Sequence, residues 1–358
     1  MAYISFKPSD YFNAKTYTGN GSTQTITNNV DSDLVWLKTT GSDNHVLFDS
    51  VRGTNKKLHS DTNAAEGTST APNLGVTAFN STSFDLGAWS AVNGSGTLYS
   101  SYAWKAGTTS GIATNGSTTI TPSAYSFNQT SGFSVVKYTG NGTSGAKIAH
   151  GLNATPDIVI VKRTGSTGSW DIINKHVGAT YYMRLDNSNA KATGTWAFND
   201  TLPDSVNFTV GDNAETNSSD GNVAYCFAPV KGFSQFGNYT GNGNADGTFV
   251  HTGFEPEMII CKNRDSGGPA AYGWTMISNS FGMTGATTAD PSFNELTQSF
   301  FADQNTAVAT GNAVDFLSNG FKWRSTGTGG NQSAAPFVYM AFARKPIVGS
   351  NGTTGVAR

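Results

Sequence analysis

Tyr138-Thr139-Gly140-Asn141-Gly142 is spelled out twice more in this chain, at Tyr17 to Gly21 and at Tyr239 to Gly243. An aromatic residue stands five or six positions before each Tyr, at Phe12, Phe133 and Phe233. Identity at this spacing marks an internal repeat, and a repeat has to be recognised before single residues are weighed. A strand is expected to end at each Tyr-Thr pair, with Gly-Asn-Gly tolerating positive φ for a tight reversal. The motif carries no chemistry of its own.

Outward from the motif, each repeat follows one script. A four-residue apolar run closed by Lys comes next: Leu34 to Lys38, Ile158 to Lys162 and Met258 to Lys262. Apolar side chains on both faces of so short a run predict a strand covered on both sides, as in the middle of a sandwich. A second shared strand begins at a ring, His45, Trp170 or Trp274. Alternation returns at Phe84-Asp85-Leu86, Phe208-Thr209-Val210 and Phe321-Lys322-Trp323, which predicts half-exposed strands. The final strands end near Trp104, Phe227 and Phe342. The stretch Ser292-Phe293-Asn294-Glu295-Leu296 is a candidate helical turn.

The expected fold is therefore all-β, three tandem antiparallel β-sandwiches of jelly-roll-like type, each large enough to bury its own core. The division places an arm or first strand at 1–16 and repeats at 12–105, 132–230 and 231–346. A linker or hairpin falls at 106–131, and a Gly- and Thr-rich tail at 347–358.

Composition narrows the function. Of 358 residues only 13% are charged, 42 are Gly, and the net charge is −2. No basic field exists to attract nucleic acid or an anionic membrane, so neither is an expected partner. Cys226 and Cys261 lie in apolar runs and read as small buried hydrophobes, with no disulfide framework or zinc site. Neither a Sec signal nor a long apolar span is visible, so delivery outside a cell would need another route.

Candidate sites are few. Gly140-Asn141-Gly142-Thr143-Ser144-Gly145 fits a dinucleotide fingerprint by spelling, but the residues after it are too short to open the helix that phosphate binding needs. No cofactor is expected. His150 and His251 both fall eight residues after the last Gly of the motif, with Asn29 at that place in the first repeat, which suggests a side chain bonding turn backbone. Carboxylates look scattered, with no calcium-loop or catalytic spacing, so no metal ligand and no catalytic residue is assigned. Trp36, Trp104, Trp170, Trp274 and Trp323 occupy positions shared with large residues in other repeats and read as core. Trp89 and Trp196 do not recur. Each could plug the end of a sandwich, or stack on a sugar ring or a partner surface.

The Tyr-Thr-Gly-Asn-Gly motifs, His45 to Gly53, Asp315 to Phe321 and Tyr339 to Ala343 together resemble a repeat family found in marine bacteriophage virion structural proteins, many of them tail-fibre-like. The resemblance runs from about Tyr11 to Pro346. It implies a non-enzymatic, external virion component with no shared activity and no catalytic residues to carry over. A tail or tail-fibre part contacting other virion proteins or the host surface is the expectation, with a head decoration protein or a lectin-like glycan-binding adhesin as alternatives. Fibres usually assemble symmetrically, so a homo-oligomer such as a trimer is also expected.

Overall fold

A computed structural model describes residues 4, 6–68, 74–267, 273–281 and 295–346. After a 3-10 turn at Pro8–Asp10, the first repeat runs β1 (Phe12–Thr18), β2 (Gln24–Thr27), β3 (Leu34–Thr39) and β4 (Val46–Asp49). It continues through β5 (Lys56–Lys57), β6 (Gly67–Thr68), β7 (Val76–Phe79), β8 (Ser83–Leu86), α1 (Ser90–Asn93) and β9 (Leu98–Trp104). The second comprises β10 (Ala124–Asn128), β11 (Phe133–Tyr138), β12 (Ala146–Ala149), β13 (Ile158–Arg163), β14 (Trp170–Asn174) and β15 (Tyr181–Arg184). Next come β16 (Ala192–Thr193), α2 (Thr195–Phe198), β17 (Asn207–Val210), α3 (Ala214–Asn217) and β18 (Asn222–Phe227). The third holds β19 (Ser234–Thr240), β20 (Phe249–His251), β21 (Phe254–Asn263), β22 (Thr275–Ser278), β23 (Glu295–Phe301), β24 (Ala309–Leu317), β25 (Gly320–Trp323) and β26 (Pro336–Pro346).

The chain is all-β with antiparallel strand pairs throughout, and one strand order recurs. The inner layers are β1-β9-β3-β4, β11-β18-β13-β14 and β19-β26-β21-β22. Outer pairs β2-β8, β12-β17 and β20-β25 complete the sandwiches. In the third repeat the two layers join into one continuous eight-stranded sheet through β23 and β24, which a register shift between Leu296 and Gln298 helps to bend. Glu295 and Leu296 thus open a strand, not a helical turn; residues 292–294 lie outside the described residues.

Each inner strand is apolar on both faces because two different cores meet there. Val35 and Leu37, Val159 and Val161, and Ile259 and Cys261 face their own sandwich interiors. Leu34 and Trp36, Ile158 and Ile160, and Met258 and Ile260 enter one core common to all three repeats. The cover expected from a sandwich middle is therefore half supplied by the other repeats. Trp36, Trp104, Trp170 and Trp274 stand in this shared core, and Trp323 in the third sandwich. A cavity of about 30 Å³ remains on its axis, walled by Trp36, Trp104, Trp170 and Trp274 among others. Its walls are apolar and aromatic apart from Asn174.

The founding motif is fixed by more than turn propensity. Its Tyr hydroxyl donates to a carbonyl at Val92 (2.6 Å), Thr216 (2.5 Å) or Gly330 (2.7 Å). The next residue is a buried Asn: Asn93, Asn217 or Asn331. Its Oδ1 accepts from the amide of the motif's Asn at 3.0, 2.8 and 3.0 Å. The first Gly must lack a side chain, since a Cβ on Gly140 would sit 2.1 Å from the Asn217 backbone. Only the second Gly is there for positive φ, +66° at Gly142. The strand β12 follows, so the Gly-rich stretch opens no helix.

The 106–131 segment serves the second repeat. Its β10 pairs with β11, and Thr119 and Ile120 lie along the outer edge of β12.

Candidate functional site

The three ring positions that begin the second shared strand tie the repeats together in cyclic order. The Trp170 indole N–H donates to the His59 carbonyl of the first repeat at 2.9 Å, and that of Trp274 to the Arg184 carbonyl of the second at 2.8 Å. His45 closes the cycle. Its Nε2 faces the Phe301 carbonyl of the third repeat, looser than a formed hydrogen bond, while Nδ1 accepts from the Trp36 indole at 2.9 Å. Burial holds His45 well below the usual imidazole range, so it acts as a neutral ring.

Two residues beyond each of those carbonyls stands an Asp. Asp61, Asp186 and Asp303 accept from the backbone N–H of His45, Trp170 and Trp274 at 3.2, 3.3 and 2.7 Å. With Thr62, Asn187 and Gln304 they line a polar basin of about 500 Å³ where the three repeats meet. Burial raises all three carboxyls, that of Asp61 to about 6. Lys38, Lys162 and Lys262 stand nearby, one per repeat, each drawn toward its own repeat's Asp. Each ammonium donates to backbone carbonyls, for Lys162 those of Arg163 at 2.9 Å and Gly168 at 2.8 Å. Burial lowers each Lys to about 8. The carboxylates that look scattered in sequence therefore include one recurrent set.

Among the described residues no group of three His, Cys, Asp or Glu side chains is arranged to hold a metal ion. Nor is any helix there long and apolar enough to cross a membrane. Both cysteines are free and buried, with thiols pushed up to about 12. These are poor nucleophiles.

Trp89 and Trp196 lie apart from the basin's lining, and both are half-buried. The Lys57 ammonium sits 4.2 Å from the Trp89 ring centre. Trp196 meets Tyr182 edge-on at 4.7 Å and has the Arg184 guanidinium 5.7 Å away, a cation–π pairing in both cases. Arg184 also binds Asp171 at 3.1 Å and Glu215 at 2.6 Å. The structure does not bring the two tryptophans together with one another.

His150 does bond turn backbone, accepting from the Leu152 N–H at 3.2 Å. His251 does not share that place. Its cross-strand partner is Gly320, and the residue equivalent to His150 is Thr252, whose amide bonds Asn319 as that of His150 bonds Val206. In the first repeat Asn28, rather than Asn29, fills the position, with Oδ1 accepting from the Val30 N–H.

The family DUF7483, described as a domain of unknown function, matches residues 7–346. The chain belongs to this family. Neither a curated protein nor a solved structure gives a significant match. Membership covers the whole of β1 to β26 and assigns no residue a role.

Proposed function

We propose that this DUF7483 chain is a non-enzymatic structural component of a bacteriophage particle, a tail or tail-fibre part that meets other virion subunits or the host surface. The observation that carries this reading is the shared core. Three sandwiches give up one face each to a common interior, which yields a stiff block in place of separately mobile modules. The recurrent polar side chains support the same reading, because Asn217, Lys162, Asp186 and their counterparts bond the chain's own backbone. The sequence resemblance to virion structural proteins supplies the setting, and assembly with further copies of itself belongs to it. Antibody labelling of intact particles tests it: signal on the tail is expected, signal on the head would favour a decoration protein, and a protein missing from purified particles would end the reading.

A second reading, glycan binding, is favoured by the basin itself. Asp, Asn, Thr and Gln side chains around about 500 Å³ offer paired donors and acceptors suited to sugar hydroxyls. A glycan array with the intact protein, repeated with Asp186→Ala, separates the two. Binding that the variant loses favours an adhesin, and an empty array removes that reading while leaving the structural one.

A further inference from the structure

Edge strands expose unpaired N–H and C=O groups, and a stable fold usually covers them. In the second repeat the cover on β12 is visible. The amides of Thr119 and Ile120 both donate to the Lys147 carbonyl at 3.0 Å, and the Lys147 amide donates to Thr119 Oγ1 at 2.7 Å. These two residues belong to the 106–131 segment. That segment has no counterpart ahead of the third repeat, which residues 229–232 join directly to the second.

The counterpart edge in the third repeat is β20, the last strand of the eight-stranded sheet. Phe249 pairs with Lys322 as Lys147 pairs with Thr209. The Trp323 amide donates to the Thr248 carbonyl at 3.3 Å and the Thr252 amide to the Asn319 carbonyl at 3.0 Å, so residues 248, 250 and 252 turn their backbone toward β25. In an antiparallel pair the residues between them turn theirs away. The Phe249 N–H and C=O therefore point off the edge, and among the described residues neither has a hydrogen-bond partner. Phe249 is also 43% exposed, the one large exposed hydrophobic among the described residues. The same position holds Lys147 in the second repeat and Thr25 in the first, whose hydroxyl donates to Asp85 at 2.7 Å. An apolar side chain stands there in the third repeat alone.

We infer that β20 pairs antiparallel with β20 of a second copy of this chain, centred on Phe249, so that two eight-stranded sheets run into one. The edge is self-complementary, which is what an isologous twofold contact requires. A residue whose N–H and C=O both point outward exchanges two hydrogen bonds when it meets itself. The two Phe249 rings then stand side by side on the solvent face, an aromatic cross-strand pair of the kind that stabilises neighbouring strands. His251, also exposed, falls opposite Gly247 of the second copy, which has no side chain to obstruct it. Lys322 flanks the ring pair on each side with its own counter-ion, Asp246 at 2.6 Å, so the ammonium ions across the joint are each neutralised. The contact rests on the structural reading above for its setting, and it names the surface through which copies join.

Sedimentation and crosslinking of the purified full chain test this without particles, so a failure here is distinct from a protein missing from particles. Wild type should dimerise. Phe249→Asp, which sets two carboxylates face to face, should weaken the dimer by about tenfold or more while the melting temperature of the chain is unchanged. Phe249→Cys should give a disulfide-linked dimer under mild oxidation, since directly opposed residues of such a pair stand about 5.5 Å apart, within disulfide reach. Thr25→Cys, at the same position of β2, should stay uncrosslinked. The native Cys226 and Cys261 are buried and give little background. A wild-type chain that stays monomeric at high concentration, a dimer that Phe249→Asp leaves intact, or a mixture in which Thr25→Cys links preferentially to Phe249→Cys would overturn the inference.

Discussion

The Tyr225 hydroxyl of the second repeat donates to Asp49 Oδ2 of the first at 2.7 Å, deep in the shared core. The same oxygen also accepts from Arg52 Nε at 2.5 Å, and both side chains of that ion pair are fully buried. A buried charge pair of this kind tolerates no missing partner. Tyr225→Phe should therefore cost about 1.5–3 kcal/mol, the range for a bond to a charged acceptor. Asp49→Asn should cost more, about 3–5 kcal/mol, because Arg52 loses the nearer and fully buried of its two counter-charges and keeps only Glu66 at 3.2 Å. Chemical denaturation of both single variants and the double variant checks this, and purely additive losses would mean that the contact contributes no coupling.

The founding motif separates two uses of glycine. A Cβ on Gly140 would overlap the Asn217 backbone, which neither residue can yield without moving the clamp described above. At Gly142 nothing lies within 4 Å of a Cβ, and only φ of +66° resists a side chain. Gly142→Ala should cost about 1–2 kcal/mol, the ordinary left-handed penalty. Gly140→Ala should cost at least 1 kcal/mol more than that, within the about 1–3 kcal/mol of overpacking plus a broken clamp. Thermal melts of the two variants side by side decide between them, and equal losses would argue against the close-approach account.

The strands and much of the core were legible because the repeat shows which apolar runs recur. What each run packs against was not, since Leu34 and Val35 look alike in sequence while one faces the neighbouring repeats and the other its own sandwich. The acceptors of the cyclic bonds are backbone carbonyls of His59 and Arg184, and a carbonyl leaves no sequence signature. The basin did leave a trace. Asp61 and Asp186 each stand sixteen residues after their ring, and only the longer third repeat, with Asp303 twenty-nine residues after Trp274, hides the pattern. Counting from the glycines misplaced His251 by one residue because β20 reaches its partner strand one position later than β12 does.

Two buried indoles should answer truncation differently. Trp104 Nε1 has no hydrogen-bond partner, and the equivalent residues Phe227 and Phe342 are phenylalanines that pack against it. Trp104→Phe removes an unsatisfied donor, which offsets the lost ring area, so a change under about 1.5 kcal/mol is expected. Trp170→Phe removes the bond to His59 and leaves that part-buried carbonyl with only the long contact from the Thr62 amide at 3.5 Å, at an added cost of about 1–3 kcal/mol. Urea midpoints measured on both variants check the difference, and a larger loss for Trp104 would contradict the reading of its indole nitrogen.

Glu257 makes the fold sensitive to pH in a direction that can be worked out. Burial pushes its carboxyl up to about 8, Glu255 adds to the rise, and Arg344, 3.8 Å away, only partly opposes it. Between about 4.3, the unfolded value, and about 8 the folded chain keeps a proton that the unfolded chain has released. Folding then binds the extra proton, so this residue's contribution is full below about 4.3 and is lost as pH rises through about 8. His150, lowered to about 4 by burial, acts in the opposite sense below about 6.5 and is common to both proteins in the comparison. Glu257→Gln keeps the shape and removes the titration. Its melting temperature should therefore lose ground to wild type at pH 5 and regain it by pH 8.5, and a constant difference across that range would show that Glu257 is ionised in the folded chain.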